Sequence, residues 1–255
     1  MLQTGASLGD ILITFLPAIV LITIVVLVYF RGKGGNKKIV EAETKKVSKA
    51  FYNIAEDIVQ SASGLTFTVQ LKRPSTLTEN DPLKSIRRLR FHFSLEDRQN
   101  LVSWFILLFK KNKDYFILES DSLNKNDHIN LEIVEWTSLG KYELKKLQEE
   151  WGSEMYDYEI KSEFSAKFIH KVNHLNALKY IYQKEPDLKK LIYNLPGFYR
   201  LSLKRKEEWG FRLAVRIQKE MDYRIIREVT LRIMRGLSDL NQAIIKKPKR
   251  FLRTN

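Results

Sequence analysis

Residues 65–71 read LTFTVQL, and apolar side chains alternate there with polar ones. Residues 89–93, LRFHF, repeat the alternation. A period of two is typical of strands with one buried face, so both stretches are predicted strands. Further apolar stretches at 101–109, 115–118 and 129–136 extend the prediction to a five-strand meander. Helix is the alternative for 95–109, because LEDRQN makes a suitable first helical turn.

The segments on either side of this region favour helices. Val47, Phe51, Ile54 and Ile58 recur every three or four residues, which predicts an amphipathic helix over 37–60. Residues 141–194 are also predicted to be helical, with a break at Glu185-Pro186-Asp187 and a short helix ending near Asn194. The apolar stripe of the first part is assigned to Ile160, Phe164, Phe168, Val172 and Leu175.

The C-terminal part returns to the strand period and then to a helix. Residues 198–217 alternate around the turn KRKEEWG, which predicts a hairpin, and a long helix is expected over 219–245. The sequence therefore predicts an α+β fold, with an N-terminal single transmembrane helix followed by an antiparallel sheet with packed helices.

Residues 11–30, ILITFLPAIVLITIVVLVYF, contain no charge. Twenty helical residues span about 30 Å, the thickness of a bilayer core, so this segment predicts a transmembrane helix. A cleavable signal peptide fits less well, because residues 1–10 carry no Lys or Arg and the apolar run is too long. A buried core helix fits less well still, since the segment is apolar on every side.

Basic residues follow the apolar segment, namely Arg31, Lys33, Lys37 and Lys38. The positive-inside rule predicts an outside N-terminus and a C-terminal domain in the cytoplasm or an organelle matrix. The domain prediction is an anchor and basic hinge over 1–36, a soluble α+β domain over 37–245 and a basic tail over 246–255. The glycine-containing RGKGGN at 31–36 is interpreted as the hinge.

The formal net charge is +14, and residues 195–255 alone contribute +10, with 16 basic and 6 acidic residues. Two i,i+4 pairs on the last helix, Glu220–Arg224 and Glu228–Arg232, offset some of it. Basic residues without an obvious local carboxylate are the predicted anion- or partner-binding set: Arg212, Arg216, Arg227, Arg235, Lys246, Lys247, Lys249 and Arg250. Net charge alone is a weak argument, so solvated faces are the competing interpretation.

Sequence motifs for catalysis are not found, and the chain has no cysteine, which excludes disulfides and thiol chemistry. His170 and His174 have the i,i+4 spacing of a helical zinc site, but no general-base Glu or third ligand accompanies them. Exposed helix histidines are therefore expected, with no metal or cofactor. Trp136, Trp151 and Trp209 fit core or interface packing.

These observations favour a binding protein over an enzyme. The predicted function is a single-pass membrane protein whose cytoplasmic basic domain acts as a scaffold or assembly factor for a membrane-associated complex. Its expected partners are the lipid bilayer and an acidic protein or anionic lipid headgroups. The alternatives are a membrane-tethered protein that binds RNA or the ribosome, and a membrane-tethered enzyme without a linear motif.

Overall fold

The computed structural model describes residues 8–60, 66–71, 86–96, 98, 101–107, 114–122, 128–135, 141–151, 155–157 and 168–246. Its helices are α1 Leu8–Phe51, α2 Leu101–Leu107, α3 Lys141–Glu150, α4 Leu175–Lys184, α5 Leu188–Tyr193 and α6 Tyr223–Lys246. Its strands are β1 Ala55–Gln60, β2 Thr66–Leu71, β3 Ile86–Ser94, β4 Tyr115–Ser122, β5 Leu131–Glu135, β6 Tyr156–Asp157, β7 Phe168–Val172, β8 Phe198–Leu203 and β9 Phe211–Arg216.

The chain divides into two compact units. The first contains Met1–Glu43 and Leu95–Lys113, and therefore most of α1 together with α2. The second contains Thr44–Ser94 and Asp114–Asn255, and it holds the end of α1, the whole sheet and the other helices.

Nine strands among the described residues form one sheet, in the order β1-β2-β3-β4-β9-β8-β5-β7-β6. The pairings are antiparallel throughout. The α+β prediction is therefore confirmed. The predicted meander needs correction, because the hairpin β8–β9 lies between β4 and β5, and residues 101–107 form α2 rather than a strand.

A chain of aromatic rings forms the core of the second unit. Phe51 at the end of α1 lies 4.7 Å from Phe91 on β3, measured between ring centroids. Phe91 is 5.6 Å from Phe116 on β4, and Phe116 is 4.8 Å from Tyr223 on α6. These four side chains are buried. The alternation of β3 and β4 therefore directs one face of the sheet towards α6 and the end of α1.

α1 is one continuous helix that contains Pro17 and residues 31–36. The segment interpreted as a hinge is thus helical, and nothing lies within 4 Å of a Cβ placed on Gly34 or Gly35. α1 is the helix in the described part of the chain that is long and apolar enough to cross a membrane. The amphipathic helix predicted to reach residue 60 ends at Phe51, and residues 55–60 form β1.

The C-terminal elements follow the prediction closely. The interruption at 185–187, the short helix α5, the hairpin β8–β9 and the long α6 are all confirmed. The helical stripe predicted through Phe168 and Val172 is wrong, because these residues lie on β7. Ile160 and Phe164 lie outside the described residues, as do the loop 73–82 and the tail from residue 247.

Candidate functional site

Charged side chains cover part of the sheet face that points away from α6. On β3, Arg88, Arg90 and His92 alternate with the core residues. The register places Arg90 opposite Glu119 on β4, and Glu119 opposite Arg212 on β9. Directly opposed residues of antiparallel strands share a face and are close enough to interact. Three adjacent strands therefore bring opposite charges together.

Glu119 is the centre of this arrangement and is buried. Its Oε2 accepts a hydrogen bond from Arg90 Nε at 2.8 Å, and its Oε1 lies 3.8 Å from Arg212 Nε. His92 Nδ1 lies 4.0 Å from the same carboxylate. Burial lowers the pKa of His92, the charge of Glu119 opposes this, and Arg212 and Arg90 lower it further. His92 is therefore neutral at pH 7, and Glu119 is shared by two arginines.

Trp209 is in the turn between β8 and β9, and its ring lies over two of the arginines of β3. The Arg90 Cζ is 4.3 Å from the indole ring centroid, and the Arg88 Cζ is 5.1 Å from it. These are cation–π distances. Arg88 also donates to Asp121 Oδ2 at 2.8 Å and pairs with Glu208, and these two hydrogen bonds raise the pKa of Arg88.

A second buried ion pair joins β8 to β5. Arg200 Nε and Nη2 donate to the two carboxylate oxygens of Glu132 at 2.8 and 2.9 Å. Burial raises the pKa of Glu132, while the hydrogen bonds from Arg200 oppose that change. Burial would lower the pKa of Arg200, but the Glu132 carboxylate raises it overall. The bidentate geometry is the strong form of such a contact.

Five of these residues line a cavity of about 690 Å³, namely Arg90, Glu119, Arg200, Trp209 and Arg212. Its walls also contain Tyr115, Tyr199, Lys204 and the acidic residues Glu150, Glu207 and Glu208. Cations and carboxylates are thus balanced, and a ligand with carboxylates would have to compete with those of the chain for the arginines. No group of three or more His, Asp or Glu within the described ranges is arranged to hold a metal ion.

The sequence-predicted basic residues do not form one cluster. Arg212 lines the cavity, and Arg216 lies further along β9 with its Cζ 5.9 Å from the Tyr115 ring centroid. Arg227 and Arg235 are on α6, on the other side of the sheet, where they donate to Ala50 O at 2.7 Å and to Glu185 Oε1 at 3.2 Å. Partner binding by these residues stays a prediction.

The remaining members of that set belong to the C-terminal end of the sequence. Lys246 is the exposed last residue of α6, and Lys247, Lys249 and Arg250 lie outside the described residues. The separate group of basic residues predicted next to the membrane lies on α1, where Lys37 Nζ is 3.8 Å from Glu41 Oε1; this group is Arg31, Lys33, Lys37 and Lys38.

Much of the C-terminal charge excess is matched by carboxylates from earlier in the chain. Arg200 pairs with Glu132, Arg212 with Glu119, and Arg232 and Arg235 both with Glu185. Each of these partners lies at least 47 residues away along the chain, so a comparison of neighbouring charges in the sequence does not reveal them. Of the two predicted helical pairs, Glu228–Arg232 is confirmed at 2.7 Å. Glu220 precedes the first residue of α6, and Arg224 contacts Asp222.

The two histidines with helical spacing do not share a helix. His170 is buried on β7, with its Nε2 3.1 Å from the Tyr193 hydroxyl, and His174 is the N-cap residue of α4. The expectation of exposed helix histidines is therefore wrong, because His170 is buried on a strand and His174 is half-buried before the first residue of α4. Trp209 is half-buried over the arginines, and Trp136 lies outside the described residues.

These features define the chain as an α+β domain with an N-terminal helix that is long and apolar enough to cross a membrane. No protein-family model matches the sequence, and no curated protein matches it. A structural similarity is found to the mycobacterial trehalose monomycolate transport factor A, TtfA, over 77% of this chain and 92% of that one. The sequence identity is 8% and the TM-score is 0.32, so this similarity carries no conclusion.

Proposed function

We propose that this chain is a single-pass membrane protein whose C-terminal domain binds an acidic partner protein and holds it at the membrane as a scaffold or assembly factor. The observation that carries the proposal is the exposed apolar surface of α1. Large apolar side chains such as Leu16, Ile22 and Leu27 are exposed along its first part, while Val47 and Phe51 in its last turns are buried. So long an exposed apolar surface requires lipid or another apolar partner.

Membrane insertion is tested by separating membranes from soluble protein and then extracting the membranes with alkaline carbonate. The full chain is expected to stay in the carbonate-resistant fraction. Replacing Ile22 and Val25 by Arg should release it, because a charge at the centre of a membrane helix costs about 3 kcal/mol or more. A chain that is released by carbonate without any substitution would contradict the anchor.

The cytoplasmic or matrix orientation is supported by the basic residues after the apolar segment. Protease protection of intact vesicles or organelles with an epitope at the C-terminus tests it. We expect cleavage from the cytoplasmic side, or from the matrix side in the organelle case. Protection of the epitope on that side would reverse the proposed orientation.

The surface proposed for the partner is the cavity under Trp209. Glu208 is an exposed carboxylate on a turn, and it pairs there with Arg88. An exposed ion pair contributes less than about 1 kcal/mol, so a carboxylate of a partner could replace Glu208 at small cost. Arg212 lines the same cavity and is half exposed. It is therefore a second cation that an acidic segment of a partner could contact.

Partner binding is tested by affinity capture of the full chain in detergent, with bound proteins quantified by mass spectrometry. Trp209→Ala and Arg212→Gln are each expected to reduce the capture of specific partners by about tenfold, the effect of 1.4 kcal/mol. Arg224→Gln is the matched control, because Arg224 is exposed, pairs with Asp222 and does not line the cavity. Unchanged capture by both cavity variants would overturn the proposed surface.

The same experiment separates the alternatives. Substitution of Lys246, Lys247, Lys249 and Arg250 by Gln reports on the tail, and loss of partners only in that variant would move the binding site to it. Partners that disappear after nuclease treatment, with a steep decrease of binding as salt rises, would support the RNA-binding alternative.

A tethered enzyme is the second candidate, and the cavity is the observation that favours it. It is concave, and polar groups of both signs converge in it, which is the usual form of a small-molecule site. A small-molecule screen by thermal shift tests this candidate: a ligand that stabilises the native chain but not Trp209→Ala would support it.

A further inference from the structure

α2 exposes large apolar side chains. Val102 is 67% exposed, Phe105 is 59% exposed and Ile106 is 43% exposed. Their spacing of three and four residues places them on one side of the helix. No charge occurs from Leu101 to Phe109, and Lys110, Lys111 and Lys113 follow directly. An apolar helix side followed by lysines is typical of helices that lie in a membrane interface.

The segment before α2 is attached to α1. Asn36 Nδ2 donates to Glu96 O at 3.2 Å, and Arg98 Nη1 donates to Asn36 Oδ1 at 2.8 Å. Residues 95–113 and the first part of α1 belong to the same compact unit. The hydrogen bonds therefore fix the position along α1 from which the chain enters α2.

That position is close to the end of the apolar segment. Asn36 is six residues beyond Phe30, which is about 9 Å along the helix axis. The headgroup layer extends about 5–7 Å beyond the hydrocarbon core on each side. From Arg98 to the first residue of α2 the chain can span at most about 10 Å. α2 therefore begins within reach of the headgroup layer.

One side of α1 is covered at the same depth. Val28 is 8% exposed and Gly32 is buried, whereas Phe30 between them is 65% exposed. Val28, Gly32, Asn36 and Val40 are four residues apart and thus lie on one side of the helix. Val28 and Gly32 are therefore shielded from solvent although Phe30 between them is not.

From these observations we propose that α2 is a second membrane-contacting element, which lies in the bilayer interface beside α1. Val102, Phe105 and Ile106 contact the boundary between headgroups and acyl chains. Lipid is the occupant that fits, because this apolar surface starts where the apolar part of α1 ends and is followed by cations. The inference rests on the proposed membrane anchor.

The absence of cysteine permits a direct test with single-cysteine variants. The full chain with Phe105→Cys is spin-labelled and reconstituted into vesicles of phosphatidylcholine and phosphatidylglycerol in equal amounts. Accessibility is measured to oxygen, which concentrates in lipid, and to a water-soluble nickel complex. Ile22→Cys, 62% exposed within the apolar segment, is the lipid control, and Tyr52→Cys, 77% exposed just after α1, is the water control.

We expect an oxygen-to-nickel accessibility ratio for Phe105→Cys that is several-fold above that of Tyr52→Cys and below that of Ile22→Cys. Val102→Cys provides a second position if the first label disturbs thermal unfolding. A ratio equal to that of Tyr52→Cys, with Ile22→Cys in lipid, would overturn the inference and leave the anchor intact. A water-accessible Ile22→Cys would overturn the anchor itself.

A label at residue 105 that is shielded from both reagents would mean that protein covers α2, as in a complex of two copies of the chain. That result also contradicts a position in the lipid interface.

Discussion

His170 has a neutral ring that is buried between β7 and α5. Burial, together with the charge of Lys189, lowers the pKa of His170 to about 4. Phe168 and Tyr193 contact one another beside it, with ring centroids 4.9 Å apart. Protonation would place a cation in this apolar environment, so the folded state resists it.

The unfolding free energy should therefore fall as the pH decreases from about 6.5 to 4. An unfolded histidine takes up a proton near pH 6.5, while the folded one does so only near pH 4, so the unfolded state holds more protons in this range. The total loss is up to roughly 3 kcal/mol. Chemical denaturation at a series of pH values measures it.

His170→Gln is the variant for this comparison, because an amide can still contact the Tyr193 hydroxyl but does not titrate. Its unfolding free energy should depend less on pH between 6.5 and 5, above the range in which carboxylates dominate. His92→Gln is the control for a histidine that is less buried. Equal pH dependence in the native chain and in His170→Gln would contradict the assignment.

At the scale of elements, α4 and α6 approach one another closely at Gly236. A Cβ on this residue would lie 2.9 Å from Ile181 Cγ2, and Ile181 is itself buried and branched at Cβ. Overpacking of this kind costs about 1–3 kcal/mol, which exceeds the gain of about 1 kcal/mol from replacing a helical glycine by alanine. Gly236→Ala should therefore lower the unfolding free energy by up to about 2 kcal/mol.

Thermal or urea unfolding of the full chain in detergent measures this effect. In an Ile181→Ala background the same substitution should raise stability, because the methyl group that it meets is absent. Gly34→Ala is the matched control in a helix, since nothing lies within 4 Å of its Cβ. If Gly236→Ala were as stable as Gly34→Ala, the tight α4–α6 contact would be refuted.

The spacing of apolar residues predicted most of the helices and strands correctly. The exceptions have physical reasons. Phe168 and Val172 are four residues apart, a spacing that fits one side of a helix and one face of a strand equally well. His170 is buried between them, so the period is two, and pairing with β5 and β6 selects the strand. β1 is an edge strand with little burial, and only its pairing with β2 distinguishes it from a continued helix.

At the scale of the whole molecule, the candidate site was predicted only in part. Arg212 was identified from its missing local partner, but its actual partner, Glu119, is 93 residues away in sequence. Trp209 was assigned to packing, because no sequence pattern shows that a turn residue will lie over Arg88 and Arg90. Such sites are created by strand order, and strand order is not encoded in local periods.

The strand order also predicts which parts of the chain fold together. β9 pairs with β4, and β8 pairs with β5, so the C-terminal hairpin joins the two halves of the sheet. A chain that ends at Asn194 lacks this hairpin and α6, and it should show no cooperative thermal transition. A chain that ends at Lys246 keeps both elements and should unfold near the temperature of the full chain.

Circular dichroism melts in detergent, together with limited proteolysis, measure both truncations. The chain ending at Asn194 should be digested rapidly to fragments, whereas the chain ending at Lys246 should resist. A cooperative melt of the shorter chain at the temperature of the full chain would show that the two halves of the sheet do not depend on the hairpin.

The position of the hairpin has a consequence for biosynthesis. About 90 residues separate Ser122, the last residue of β4, from Phe211, the first residue of β9. At about 5–20 residues per second, the ribosome needs roughly 5–18 s to make them. During that time α1 has already left the ribosome. The edge of β4 that pairs with β9 in the folded chain has no neighbouring strand. The nascent chain thus carries an unprotected strand edge for seconds, a period in which chaperone binding or aggregation competes with folding.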